Sequence, residues 1–403
     1  MRAIIWFRLV VLAITVFSLI SCGGGNNPAP STNDQRGTLI SVTTTGSYTP
    51  QILANLASSS NLFPINQVNI TYDVEVYKVG YWTIDTSGSP VQASGLIAVP
   101  QKAIGTSTAL MSIQHGTIFH DDESPTNYIA YEALSAIVAS MDFIVTIPDF
   151  LGYGESVALL HPYLHAESTA TATIDLLRAT KQWLSNNNIG VNSQLFLGGY
   201  SEGGYATLAT HKMIQEQHAG EFTVTASAPG AGPYDLFETV NYYLNSVILP
   251  YAPYVAFAFK AYDDIYGYNR ISEIFQPAYV DTVNNYFYGN HFAFEIEAAL
   301  TDVTADLFDA AFLSNFLGTG ETVIKADLMA NNIYDWTPTS PVRFYHGQDD
   351  SDVPYANATT AVFTMTTNGA TDIMLIDCPA VPATHNDCAD LYLDDMVGYF
   401  SSF

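Results

Sequence analysis

The stretch GYSEG at residues 199–203 decides the fold of this 403-residue chain. The residues before it, 194–198 (QLFLG), are typical of a buried strand, and residues 205–213 (YATLATHKM) are typical of a helix. Glycines on both sides of Ser201 allow a turn tight enough to lift a serine above the end of a sheet. The pattern predicts a nucleophile elbow with Ser201 at its tip; the alternative is a plain glycine-rich turn.

A nucleophilic serine needs a histidine base, and the base needs a carboxylate that orients it. In folds with such an elbow, the chain order is serine, acid, histidine. The loop HGQDDSDVP at 346–354 follows an apolar strand, and His385 is the one histidine of nine beyond this loop. We predict Asp350 as the acid because H-G-x-x-D-x-x-V-P is a common form of this loop. Asp352 is the second choice, and it and Asp349 are otherwise expected to be solvated or to bind a cation.

Backbone N–H groups must stabilise the oxyanion that forms when the serine attacks. One donor comes from the residue after the serine, here Glu202, and the other from a loop after an early strand. The stretch QHGT at 114–117 follows the apolar residues 109–113. Thr117 is the first choice for the second donor and Gly116 the next, while His115 is expected to be structural.

Cys378 and Cys388 are expected to form a disulfide, because the N-terminal sequence indicates export and the two cysteines lie close in sequence. A zinc site would need paired ligand clusters that are absent from the sequence. Closing a loop of about ten residues removes about 2.5 to 3 kcal/mol of unfolded-chain entropy. The bridge would therefore fix the segment that carries His385. The sequence implies no metal and no cofactor.

Strands and helices alternate along most of the chain, which predicts a mostly parallel sheet covered by helices on both faces. The predicted strands are 68–76, 91–100, 109–114, 143–148, 193–199, 342–346 and 372–376, and the predicted helices are 128–140, 167–184, 205–217, 356–366 and 388–399. Between 232 and 339 the strand pattern stops and tyrosine, phenylalanine and alanine become frequent. We therefore predict a catalytic domain of residues 37–231 and 340–403, with an inserted, largely helical cap at 232–339.

The first residues are typical of an export signal. Arg2 and Arg8 precede or flank an apolar run at 9–20 that is too short to span a bilayer, and LISC at 19–22 is similar to a bacterial lipobox. We expect residues 1–21 to be a signal peptide and Cys22 to be lipidated; an ordinary secretory signal is the alternative. Residues 22–36 would form a flexible tether, and Gly23 favours the outer membrane in a Gram-negative host.

The composition excludes a nucleic-acid-binding protein and a disordered chain. The net charge is −27, and −29 once the two signal-peptide arginines are removed, so the chain repels nucleic acid. Hydrophobic residues make up 48% and charged residues 13%, which excludes a disordered chain.

Several motifs together resemble the secretory lipase group of α/β-hydrolases, the relatives of the fungal lipase A type. They are IQHGT (113–117), PDFLGYGES (148–156), HPYLHAES (161–168), GYSEGGYA (199–206), GPYDL (232–236), HGQDDSDVP (346–354) and THNDC (384–388). The resemblance covers the chain from about residue 68 to its C-terminus, except the cap. It implies the α/β-hydrolase fold and hydrolysis of small-molecule or lipid carboxylic esters through an acyl-enzyme, without a metal.

The expected function is that of a lipase or carboxylesterase anchored to the membrane through Cys22. Three alternatives remain open from the sequence: a serine peptidase of the same fold, a polyester or aromatic-ester hydrolase, and a binding lipoprotein without catalysis.

Overall fold

The computed structural model describes residues 35–59, 69–103 and 105–403. The predicted signal peptide, the predicted lipidation site Cys22 and the predicted tether up to residue 34 lie outside these ranges. Arg36, at the predicted end of the tether, donates from Nε to the buried carboxylate of Asp175 at 3.1 Å. Within the described ranges no helix is long and apolar enough to cross a membrane.

The described residues form one sheet of nine strands. In chain order these are β1 (Leu39–Tyr48), β2 (Val74–Ile84), β3 (Pro90–Pro100), β4 (Ser107–Gln114), β5 (Phe143–Pro148), β6 (Gly190–Tyr200), β7 (Ala226–Gly230), β8 (Val342–His346) and β9 (Ile373–Asp377). Across the sheet the order is β1-β2-β3-β5-β4-β6-β7-β8-β9. The pairs β1–β2, β2–β3 and β3–β5 are antiparallel. The pairs β5–β4, β4–β6, β6–β7, β7–β8 and β8–β9 are parallel. The predicted mostly parallel sheet is confirmed.

Helices cover both faces of this sheet. They are α1 (Pro50–Ser59), α2 (Ile129–Ala139), α3 (Ala166–Asn186), α4 (Glu202–Gln217), α5 (Leu236–Asn245), α6 (Ala252–Tyr266), α7 (Ile271–Ile274), α8 (Val280–Asn285), α9 (Ala293–Ala299), α10 (Thr304–Leu307), α11 (Ala310–Leu317), α12 (Thr322–Ala330), α13 (Ala356–Thr367) and α14 (His385–Phe400). One apolar cluster joins α2 and α14 to the sheet, and another joins α3 and the end of α4 to its other face. Both sets of side chains are buried, as a parallel sheet requires.

Along the chain, helices α5 to α12 come after β7 and before β8, and they pack through aromatic side chains. Phe259 of α6 contacts the rings of Phe275, Phe308 and Phe312 edge to face, with ring centroids 5.4–6.2 Å apart. The same buried cluster continues to Phe344 of β8. These helices therefore share one apolar core with the sheet.

The predicted strand at 68–76 is wrong over most of its length. Val68 lies outside the described residues, residues 69–73 form no strand, and β2 begins at Val74. The backbone N–H groups of Thr71 and Tyr72 donate to Ser140 O at the end of α2, at 3.1 and 3.3 Å. These N–H groups are therefore bonded to the end of a helix, so the segment cannot hydrogen-bond to a neighbouring strand of the sheet.

Candidate active site

Ser201 occupies a strained turn between β6 and α4. Its φ is 61° and its ψ is −122°, a left-handed conformation that L-residues seldom adopt outside functional sites. Its N–H donates to Gly230 O at 2.8 Å, which ties the turn to β7. The turn thus holds the serine at the carboxyl end of the parallel strands.

The glycine at 203 is required by close backbone contact. A Cβ there would lie 2.1 Å from Gln114 O and 2.8 Å from His115 O, so α4 could not approach β4. We expect Gly203→Ala to lower the stability by about 1–3 kcal/mol, as overpacking does. Gly220→Ala is the matched control, because a Cβ at Gly220 meets nothing within 4 Å. Equal melting temperatures for the two variants would contradict this account of the turn.

The structure brings His385 and Asp350 together. His385 is the first residue of α14, and its Nδ1 lies 2.6 Å from Asp350 Oδ2. The side chain of Asp350 is fully buried and that of His385 is 8% exposed. A carboxylate only accepts, so Nδ1 carries the proton of this hydrogen bond.

Asp350 is held on both carboxylate oxygens. Its Oδ1 accepts from the backbone N–H groups of Asp352 and Val353 at 3.0 and 2.8 Å. Its Oδ2 also lies 3.2 Å from Nε2 of the buried His346. Burial by itself would raise the pKa of Asp350, but hydrogen bonds with His346 and His385 outweigh it and lower this pKa to about 2. The carboxylate therefore stays ionised at neutral pH.

The other two aspartates of this loop have different surroundings. Asp349 is exposed, and its Oδ2 accepts from the N–H of Ala383 at 2.9 Å. Asp352 is half-buried and lines the pocket at Ser201; burial raises its pKa. In the described part of the chain, no group of three or more histidine, cysteine, aspartate or glutamate side chains could hold a metal ion.

The loop before His385 is tied down at several points. Cys378 and Cys388 form a disulfide with a Cα–Cα distance of 5.7 Å, as predicted. Asp349 N donates to Ala383 O at 3.1 Å within this loop. Tyr200, next to Ser201, donates its hydroxyl to His385 O at 2.9 Å. This last contact links the turn to the histidine directly, and sequence reasoning missed it.

We expect Cys388→Ser to lower both kcat and the melting temperature. The bridge ties the segment that presents His385, so its loss would misplace the imidazole in a protein that is still folded. The assay must be run well below the melting transition of the variant, with wild-type protein shown by mass spectrometry to be disulfide-bonded. An unchanged kcat would mean that the hydrogen bonds of Asp349 and Tyr200 hold the loop without the bridge.

The loop after β4 lies beside the turn. A Cβ added to Gly116 would be 3.9 Å from Ser201 Cβ and 3.4 Å from Tyr200 O. Thr117 Oγ1 is 2.9 Å from Tyr163 Oη, which fixes the threonine. His115 is buried, its two ring nitrogens lie near Gly116 O and Asp149 O, and burial lowers its pKa. Its partners are therefore backbone carbonyls of the loops after β4 and β5.

A pocket opens at Ser201 between the turn and helices α5 and α6. Its cavity volume is ≈ 40 Å³, so the pocket is narrow. Its lining is mainly apolar and aromatic, including Tyr163, Leu236, Val240, Tyr243, Tyr254 and Val255. Such a lining favours a hydrophobic ligand.

The sheet, the turn between β6 and α4, and the chain order of Ser201, Asp350 and His385 define an α/β-hydrolase. The sequence profile of the secretory lipase family matches residues 124–377. The chain belongs to this family and is a carboxylic ester hydrolase of the lipase and esterase type. Membership of a secretory family is consistent with export.

Similar solved structures agree with this assignment. A candidate hydrolase from Legionella pneumophila is 26% identical over 90% of this chain and 97% of its own, with a TM-score of 0.82. The rice cell wall degrading esterase LipA from Xanthomonas oryzae is 26% identical over 89% and 97%, with a TM-score of 0.81. Candida antarctica lipase A, 16% identical over 89% and 79% with a TM-score of 0.61, shares the fold. No curated protein sequence gave a significant match.

Proposed function

We propose that Ser201 is the nucleophile, His385 the general base and Asp350 the acid that orients the base. The contact between His385 Nδ1 and Asp350 Oδ2 at 2.6 Å carries this proposal. Because Nδ1 donates to the carboxylate, the lone pair of Nε2 is free to take a proton from the serine. The carboxylates of Asp349 and Asp352 do not contact Nδ1 of His385.

The reaction follows in two halves. As Ser201 Oγ attacks the ester carbonyl carbon, its proton passes to His385 Nε2 and the carbonyl π electrons move to the oxygen. The N–H of Glu202 and that of Thr117, or of Gly116, would donate to this oxyanion. Collapse expels the alcohol, which takes the proton from His385 and leaves an acyl-serine. Water then releases the acid by the same proton path in reverse.

The substrate is proposed to be a small-molecule or lipid ester with an apolar acyl group, which the aromatic lining of the pocket would accommodate. Initial rates on p-nitrophenyl esters from short to long acyl chains test this. We expect kcat/KM to rise with chain length and then to fall where the chain outgrows the pocket. Matched amide substrates separate an esterase from a serine peptidase of the same fold. A flat profile across chain lengths would contradict the assignment of this pocket to the acyl chain.

We further propose that residues 232–339 act as a cap over the catalytic part formed by 37–231 and 340–403. Helices α5 and α6 of this segment line the pocket, which supports the proposal. We also propose that residues 1–21 are a signal peptide and that Cys22 is lipidated, with the outer membrane as the destination in a Gram-negative host. Incorporation of labelled palmitate into wild-type protein, but not into Cys22→Ser, would test the anchor.

A further inference from the structure

Glu202 and His161 form a buried pair of side chains next to the turn at Ser201. Glu202 follows Ser201 in the chain, and both side chains of the pair are 2% exposed. His161 Nε2 lies 2.7 Å from Glu202 Oε1, and His161 Nδ1 lies 2.6 Å from Leu151 O. From the sequence, Glu202 is expected to have a backbone role only, and His161 has no assigned role.

The two distances fix the number of protons. A carbonyl oxygen only accepts, so Nδ1 of His161 must donate to Leu151. Nε2 and Oε1 cannot face each other at 2.7 Å with two lone pairs, so another proton lies between them. If it is on the nitrogen, the pair is an imidazolium and a carboxylate; if it is on the oxygen, both groups are neutral. The net charge of the pair is zero in either arrangement.

The surrounding titratable groups do not supply a compensating charge. His115 interacts electrostatically with Glu202, and burial lowers the pKa of this histidine, which disfavours its cationic form. Burial also raises the pKa of five neighbouring tyrosines from α2, the loop after β5, the segment before α3, α4 and α6, which therefore stay protonated: Tyr131, Tyr153, Tyr163, Tyr205 and Tyr254. Among these groups, the proton of His161 is the one that neutralises Glu202.

We propose that His161 is a positioning residue that keeps the oxyanion hole free of negative charge. The N–H of Glu202 is a proposed oxyanion donor, so an ionised carboxylate without a proton partner would lie beside the developing negative charge. In a buried site such repulsion raises the barrier for attack. The inference rests on the proposed function, because it needs an oxyanion at this position.

The test compares His161→Ala with the double variant His161→Ala/Glu202→Gln. In the single variant, we expect kcat to fall by about tenfold or more with a much smaller change in KM. The double variant removes the carboxylate, so its kcat should exceed that of the single variant.

Both variants contain the same cavity at 161, so a role in packing alone predicts equal or lower kcat in the double variant. That result would overturn the proposal. If His161→Ala does not fold, the pair His161→Gln and His161→Gln/Glu202→Gln repeats the comparison with a smaller loss of volume. Rates of labelling by a fluorophosphonate should follow the same order. The proposed function is judged separately, by the loss of labelling in Ser201→Ala of the otherwise wild-type chain.

Discussion

Ser201→Ala should abolish ester hydrolysis and leave the fold intact, with kcat lower by at least about four orders of magnitude. The alanine removes only the oxygen that forms the acyl-enzyme. The side chain of Ser201 makes no capping hydrogen bond to α4, and the turn is held by its backbone N–H on Gly230 O. The melting temperature and the circular dichroism spectrum should therefore match those of the wild type.

Ser351→Ala is the matched control, because Ser351 is exposed on the loop 346–354 and the change removes an equal number of atoms. It should keep full turnover and full labelling by a fluorophosphonate, whereas Ser201→Ala should show no labelling. Activity of Ser201→Ala within about tenfold of the wild type, in protein free of contaminating esterase, would remove Ser201 from the mechanism.

The sequence predicted strands made of continuous apolar residues better than strands rich in small or polar residues. Strands β4, β5 and β8 are short apolar runs buried within the sheet, and their positions agree with the predicted ranges within two residues. Strand β7 (ASAPG) was missed, because small residues and a proline conceal a buried strand. Strand β1 was missed because it is an edge strand with a largely exposed polar face. Its pairing with β2 depends on tertiary contacts.

The candidate site could be predicted where a short local motif, or the order of residues along the chain, determines the arrangement. The glycines around Ser201 and the order of the acid and histidine are visible in the sequence. The contacts of Tyr200 with His385 O and of His161 with Glu202 are not. These partners come from different elements, so only the fold brings them together. A buried histidine such as His161 has no periodicity or spacing that signals its partner.

Asp350→Asn should lower kcat by about three to four orders of magnitude. Oδ1 of Asp350 accepts two backbone N–H groups, so the amide oxygen of an asparagine must take that position. The NH2 group would then replace Oδ2 and donate toward Nδ1 of His385. This places the histidine proton on Nε2, where the ring can no longer accept the proton of Ser201. The base is present in the variant but in the wrong tautomer.

Asp349→Asn and Asp352→Asn are the comparators, since each removes one negative charge from the same loop. Asp349 is exposed and Asp352 lies on the pocket side, and the carboxylate that bonds to His385 Nδ1 is that of Asp350. We expect each comparator to keep kcat within about tenfold of the wild type. Asp352→Asn could still change KM, because its side chain lines the pocket. A nearly inactive Asp352→Asn beside an active Asp350→Asn would mean that His385 turns to the other carboxylate during catalysis.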